Sequence, residues 1–186
     1  RASPDFEMWM AAFQAGTYLG VLKCAFVGCL LTMIVQSSSA TLGITMGLAG
    51  TGIISFQTAA ALVLGENIGT TITAILASLG ANTCAKRAAY AHTIFNVLGV
   101  LWITALFPFY IRFVTAVVGH DPATMVMDGT TPTFPHILAG IAAVHTGFNI
   151  INTLLFLPFM SLLAKLVTRL VPEKGPQEIP HLVYLD

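Results

Sequence analysis

The sequence predicts an all-α, polytopic integral membrane protein with discontinuous helices, broken around "QSSS" (36–39) and "GENIGTT" (65–71). Three observations predict it. Of 186 residues, 56% are hydrophobic and only 9% are charged, whereas soluble domains carry roughly 25% charged residues. A chain so poor in charge cannot cover a soluble surface. Residues 24–65, 67–85, 88–111 and 129–164 contain no Asp, Glu, Lys or Arg, and a spanning helix needs about 20 apolar residues. Finally, two polar clusters stand inside this apolar region, Gln36, Ser37, Ser38 and Ser39 in one and Glu66, Asn67, Thr70 and Thr71 in the other.

Each element follows in order. Residues 1–16 mix charge and aromatics; Pro4 and Asp5 suit a helix start and Trp9 a membrane interface. One helix is expected over 17–35, with Lys23 near its entry, and then the polar break. Residues 40–48 are apolar and rich in Gly and Thr, and "AGTG" at 49–52 is a turn signal. Residues 56–80 are apolar again, with a break expected at "GENIGTT". Residues 81–87, with Lys86 and Arg87, read as a polar loop. A long helix is expected over 88–118 with Pro108 and Arg112 late in it, a loop over 119–135, and a last long helix over 136–170 with Pro158 inside. The membrane domain is thus expected to cover 1–171, and a polar tail 172–186.

Net charge is zero, with no basic patch or acidic tail, which argues against nucleic acid as a partner. Cys24, Cys29 and Cys84 are odd in number and lack metal-ligand spacing; the first two are expected to be buried thiols. No signal-peptide pattern is present. The first residue is Arg1, and a fragment of a longer protein is one expectation. An internal echo pairs "AHTIFNVLG" at 91–99 with "VHTGFNIIN" at 144–152, and each is followed by a proline between hydrophobics, "FPF" and "LPF". Polar residues inside spans are rare, so the repeat of His, Thr, Phe and Asn at equal offsets is unlike chance. For His92 and His145, a packing hydrogen bond and ion handling are both open. Asn96 and Asn149, one turn on from each His, share its helix face and are expected to tie the bundle together.

In hydrocarbon, irregular backbone is tolerated only where it is buried or lines a cavity. Serines favour caps and turns over helix interiors. A helix ending at Gln36 and another starting near Ser39 would leave free carbonyls on one side, suited to sodium. The free N–H groups on the other side, at the positive end of a helix dipole, suit an anion. Hydroxyls serve both. "GENIGTT" is read the same way: Gly65 and Gly69 permit a bend, while Asn67, Thr70 and Thr71 offer an amide and two hydroxyls. Glu66 has two readings, an ionisable group in a span and hence functional, or a short loop reaching the headgroups. Helix–helix packing by Ser and Thr is the alternative for the hydroxyls.

Taken together, "QSSSAT" (36–41), "GENIGTTITA" (65–74), "RAAYAHTIFNVLG" (87–99) and "HTGFNIINTLLFLPF" (145–159) resemble the sodium-dependent phosphate cotransporter family, which includes bacterial members and the animal type II carriers. The resemblance implies two inverted repeats, each with a QSSS loop, around a midplane site for phosphate and sodium. It implies that Gln36, Ser37, Ser38, Ser39, Asn67, Thr70 and Thr71 bind ligand, with sodium at Gln36, Ser38, Asn67 and Thr70, and Glu66 is placed with them as a candidate substrate- or ion-binding residue. Many members have a small residue in the place of Glu66, which leaves its role open. Only one QSSS is present, so the chain resembles the second half of such a transporter. The other half is expected in the same longer chain, in another chain, or in a second copy.

The expectation is sodium-coupled import of inorganic phosphate by alternating access, in a cell membrane, the inner one of a bacterium. Sodium is the coupling ion, no other cofactor is expected, and the lipid bilayer is a partner. The rivals are a sodium-independent anion channel and a non-transporting membrane assembly subunit. No catalytic spacing of Ser, Cys, His or acid appears, so an enzyme is not expected.

Overall fold

The computed structural model describes residues 14–173; the expectations for Pro4, Asp5 and Trp9 and for the tail beyond residue 173 lie outside them. Seven α-helices follow: α1 (Tyr18–Val35), α2 (Ser38–Gly50), α3 (Phe56–Ser78), α4 (Thr83–Ala105), α5 (Phe107–Val118), α6 (Ile137–Phe156) and α7 (Met160–Leu170). A two-stranded hairpin of β1 (Val126–Asp128) and β2 (Thr131–Thr133) lies between α5 and α6, and a 3-10 turn (Leu157–Phe159) joins α6 to α7. The segments Tyr18–Val35, Phe56–Ser78, Thr83–Ala105 and Ile137–Leu170 are long and apolar enough to cross a membrane. The protein is an all-α membrane protein with one tiny sheet.

Local chemistry sets the boundaries. Thr17, Ser37, Ser55 and Asn82 each cap a helix, their side chains accepting from the backbone N–H of Gly20, Ala40, Thr58 and Ala85. With Asn82 as cap, the expected polar loop 81–87 is corrected: from Thr83 on it is already the first turn of α4. The single helix expected over 88–118 is likewise two helices. Leu106 leaves helical geometry (φ −103°, ψ 19°) and Pro108 falls in the first turn of α5. Proline has no N–H to give and its ring clashes with the carbonyl four residues back, so the helix stops and restarts. Pro158 acts more gently, tightening one turn to 3-10 geometry. In the loop over 119–135, Asp128 and Gly129 (φ 62°) support the small hairpin, and the rings of His120 and His136 stack at 4.2 Å across the loop's base.

The largest correction concerns "GENIGTT". Residues 56–78 form one unbroken helix. Thr70, Thr71 and Thr73 turn their hydroxyls back onto the carbonyls of Glu66, Ile68 and Thr70, and Asn67 does the same to Val63, so the polar side chains are satisfied without a break. The glycines serve close approach instead of a bend. A Cβ on Gly65 would stand 1.7 Å from the Ala25 carbonyl oxygen, and one on Gly28 2.0 Å from that of Leu62. Helix α1 therefore lies directly on the backbone of α3.

Helix α3 is the centre of the molecule. Ala59, Ala60, Ala61, Val63 and Leu64 are sealed on every side, with α1, α2, α4 and α6 packed around them. The apolar run over 59–64 is what so enclosed a stretch requires. Other ties are polar. Asn152 joins α6 to α4, accepting from Trp102 Nε1 at 3.0 Å and donating to the Phe95 carbonyl at 3.2 Å. The Tyr110 hydroxyl donates to the Val144 carbonyl. At one end of the bundle Arg87 Nε donates to the Val171 carbonyl at 2.9 Å, which brings Lys86 and Arg87 to the same end as the last turn of α7 with Arg169.

Candidate ion and anion site

The break at QSSS is present and sharp. Helix α1 ends at Gln36 in the left-handed region (φ 56°, ψ 23°), its N–H bonded to the Thr32 carbonyl at 2.7 Å. Gln36 is the one non-glycine among the described residues with positive φ. Ser37 is extended and caps α2. Glycine usually fills this left-handed position; a glutamine there accepts a backbone cost to keep its side chain.

Two independent registers locate this tip. Ala15 N–H donates to Thr58 Oγ1 at 3.4 Å, and the glycine contacts set Ala25 against Gly65 and Cys29 and Thr32 against Gly69, so α1 runs alongside α3 in the same direction. Since Thr32 meets Gly69, Gln36, one turn further, falls level with about Thr73. Helix α2 returns in the opposite sense, joined to α3 by a short connection, and Thr45 Oγ1 donates to Glu66 Oε1 at 2.7 Å. Counting back two turns along α2 from Thr45 brings Ser38 level with Thr73 again. The legs α1 and α2 form a hairpin astride α3, its tip near the end of α3 that carries Arg87 on the neighbouring helix. A leg of 13 residues rises only about 20 Å, short of the roughly 30 Å of hydrocarbon.

At the tip, hydrogen-bonding groups are left over. Gln36, Ser37 and Ser39 are exposed and Ser38 is half-buried. Only Ser37 is engaged, its hydroxyl accepting from Ala40 N–H at 3.3 Å and its carbonyl from the N–H and hydroxyl of Thr41. The side chains of Gln36, Ser38 and Ser39 make no hydrogen bond to described residues. The N–H groups of Ser38 and Ser39 head α2 without a partner among the described residues, and the last carbonyls of α1 end at the break. Donors at the positive end of one helix and acceptors at the negative end of the other thus share one small region.

The second cluster is divided. Thr70 is half-buried one turn short of Thr73, near the level of the tip. Asn67 lies about 9 Å below that level along the helix and is turned to α6: Asn149 Nδ2 donates to Asn67 Oδ1 at 3.2 Å. Thr71 is fully sealed in the core. Glu66 is 2% exposed, in mid-helix, which corrects the reading of a loop reaching the headgroups. His145 and His92 each lend their carbonyl to the Asn one turn on, at 2.8 and 3.0 Å. Asn149 does tie helices together, whereas Asn96 bonds within α4. Thr41, Thr45 and Thr73, not singled out from the sequence, belong to the same region. The signal for the first two was their four-residue spacing beyond Ser37, which places all three on one face.

A helical hairpin with a polar, underbonded tip, laid against the central helix of a multi-span bundle, defines a polytopic helical membrane protein. The chain belongs to the Na+/Pi-cotransporter family, which matches residues 2–153. Similar proteins include the uncharacterized protein YqeW of Bacillus subtilis, 38% identical over 80% of this chain and 43% of that protein. The putative inorganic phosphate export protein YjbB of Salmonella typhimurium is 28% identical over 87% of this chain and 27% of its own length. Human sodium-dependent phosphate transport protein 2B is 44% identical over 45% of this chain and 12% of its own. The chain thus spans less than half the length of these relatives. No solved structure matches it.

Proposed function

We propose that the protein containing this chain moves inorganic phosphate across a membrane, coupled to sodium, by alternating access, with this chain supplying one half of the site. The observation that supports the reading best is the hairpin tip. Its free hydroxyls and N–H groups at Ser38 and Ser39 can replace water around a phosphate anion, while the carbonyls ending α1 and the Gln36 side chain offer oxygen to sodium. Sodium lowers the cost of placing the anion in a low-dielectric cavity, so the two bind together. Ser37 shapes the tip as the α2 cap. Thr70 completes the site from α3, Asn67 holds α6 against α3 through Asn149, and Thr71 packs in the core beneath it. The matching half, in the same longer chain, in a second chain or in another copy, would bring the other QSSS loop to the same place and rock against this one.

The membrane is expected to be a bacterial inner membrane, with the end carrying Lys86, Arg87 and Arg169 in the cytoplasm by the positive-inside rule. The name of YjbB favours a second reading, in which the same machinery works outward as an exporter. Radiolabelled phosphate uptake into proteoliposomes holding the full-length protein tests coupling. An inward sodium gradient is expected to drive accumulation, and choline in its place to abolish it. Equal uptake in choline would favour a sodium-independent facilitator, and no uptake in either an assembly subunit.

A further inference from the structure

Glu66 is the one acidic residue in the four spanning segments, and it is 2% exposed. A carboxylate buried in a span needs a compensating positive group. None of the described residues supplies it: Glu66 makes no ion pair, and its side chain has a single hydrogen bond, from Thr45 Oγ1 to Oε1 at 2.7 Å. Helix α2 carries no ionisable side chain at all. The ionisable groups on the other helices around α3 are Tyr18, Lys23, Cys24 and Cys29 on α1, Cys84, Lys86, Arg87, Tyr90 and His92 on α4, and His145 on α6. No ion pair joins any of them to Glu66.

The second oxygen of Glu66 has no hydrogen bond to the described residues and is not fully sealed. Among the described residues, the one enclosed side-chain oxygen or nitrogen without a partner is Thr32 Oγ1, so Oε2 of Glu66 still opens onto accessible space. Thr45 is itself 2% exposed and sits one turn beyond Thr41. If its proton turns back to the Thr41 carbonyl, a common threonine geometry in helices, its oxygen is freed as a ligand beside the carboxylate. Two hard oxygen ligands then stand side by side between α2 and α3, below the hairpin tip and apart from it.

We propose that Glu66 and Thr45 bind a sodium ion between α2 and α3, at a site separate from the QSSS tip. The proposal deepens the transport reading, on which it rests, by placing one coupling cation between the return leg of the hairpin and the central helix. A cation there neutralises Glu66 and clamps α2 to α3, which holds the tip in place for the anion.

The test is binding without phosphate, so that it stands or falls separately from phosphate transport. Full-length protein in nanodiscs is titrated with sodium chloride against choline chloride at constant ionic strength, following thermal unfolding and 23Na line broadening. The parent protein is expected to be stabilised by sodium. Glu66→Gln, which keeps shape and can still accept from Thr45, should weaken apparent sodium affinity by about thirtyfold or more, the low end for removing one member of a buried charge pair. Thr45→Val should weaken it less and Thr45→Ser hardly at all. Sodium affinity unchanged in Glu66→Gln would overturn the proposal. So would infrared spectra of the parent protein in which a protonated-carboxyl band, lost in Glu66→Gln, persists at saturating sodium, because a proton would then hold the place assigned to the ion. Should Glu66→Gln not fold, the two Thr45 variants decide, and sodium affinity in Thr45→Val equal to the parent's would overturn the proposal.

Discussion

Replacing Gly65 by alanine strikes the contact on which the hairpin depends. The added Cβ would stand 1.7 Å from the Ala25 carbonyl oxygen, 2.5 Å from its carbon and 2.7 Å from its Cα. These are backbone atoms of α1, and no side-chain rotation moves them aside. Restoring an ordinary contact of 3.4 Å requires α1 to retreat by about 1.7 Å. Overpacking of a close-packed interior costs typically about 1–3 kcal/mol, and a backbone clash belongs at the upper end. Alanine regains about 0.5–1 kcal/mol of helix preference over glycine, leaving a net loss of about 2 kcal/mol. Gly43→Ala is the control: nothing lies within 4 Å of its added Cβ, and only the gain of up to about 1 kcal/mol should appear. Unfolding midpoints of the full-length variants in detergent, followed by tryptophan fluorescence and size-exclusion chromatography, measure both. Should Gly65→Ala match Gly43→Ala in stability, the account of α1 laid directly on α3 fails, and with it one of the two registers that place the tip.

Two further substitutions separate packing from ligand chemistry. Gln36→Gly relieves the left-handed backbone, worth about 1 kcal/mol less the entropy cost of glycine, so the variant should unfold no earlier than the parent while phosphate uptake falls; an equally active variant would show that the Gln36 side chain is idle. Asn149→Leu removes the bond from α6 to Asn67 and should cost about 0.6–1.7 kcal/mol, the range for polar contacts between membrane helices. A thermal midpoint unmoved from the parent's would show that this bond does not tie the two helices.

Much of the architecture was legible because lipid imposes strict rules. Charge-free runs of spanning length and a run of serines in apolar surroundings have few physical explanations, and both the multi-span fold and the break at QSSS follow from them. "GENIGTT" misled for a specific reason. Paired glycines around polar residues signal a bend when read alone, but here a second helix uses the missing side chains to approach, and threonine hydroxyls satisfy themselves on their own helix. That choice depends on α1, a partner that sequence spacing does not reveal. The break at Leu106 was legible in principle, since Pro108 carries its own rule, but the apolar run through it hid the boundary. The Thr45–Glu66 bond joins residues 21 positions apart and becomes visible only once the hairpin folds back. Asn149 was readable from the internal echo; its partner Asn67 was not, because both stand on helices whose register is set by packing.

Sodium-dependent phosphate uptake by Ser38→Ala decides whether the QSSS tip holds the transported ions. Ser38 has no side-chain partner among the described residues, so the substitution removes no bond within that part of the fold and its effect reports on ligand. Uptake by the full-length protein in proteoliposomes is measured across a sodium series at several phosphate concentrations, with incorporation checked. Weaker phosphate affinity and a higher half-saturating sodium concentration are expected together, because one polar tip holds both ions. Phosphate affinity and sodium dependence both unchanged in the folded variant would contradict it.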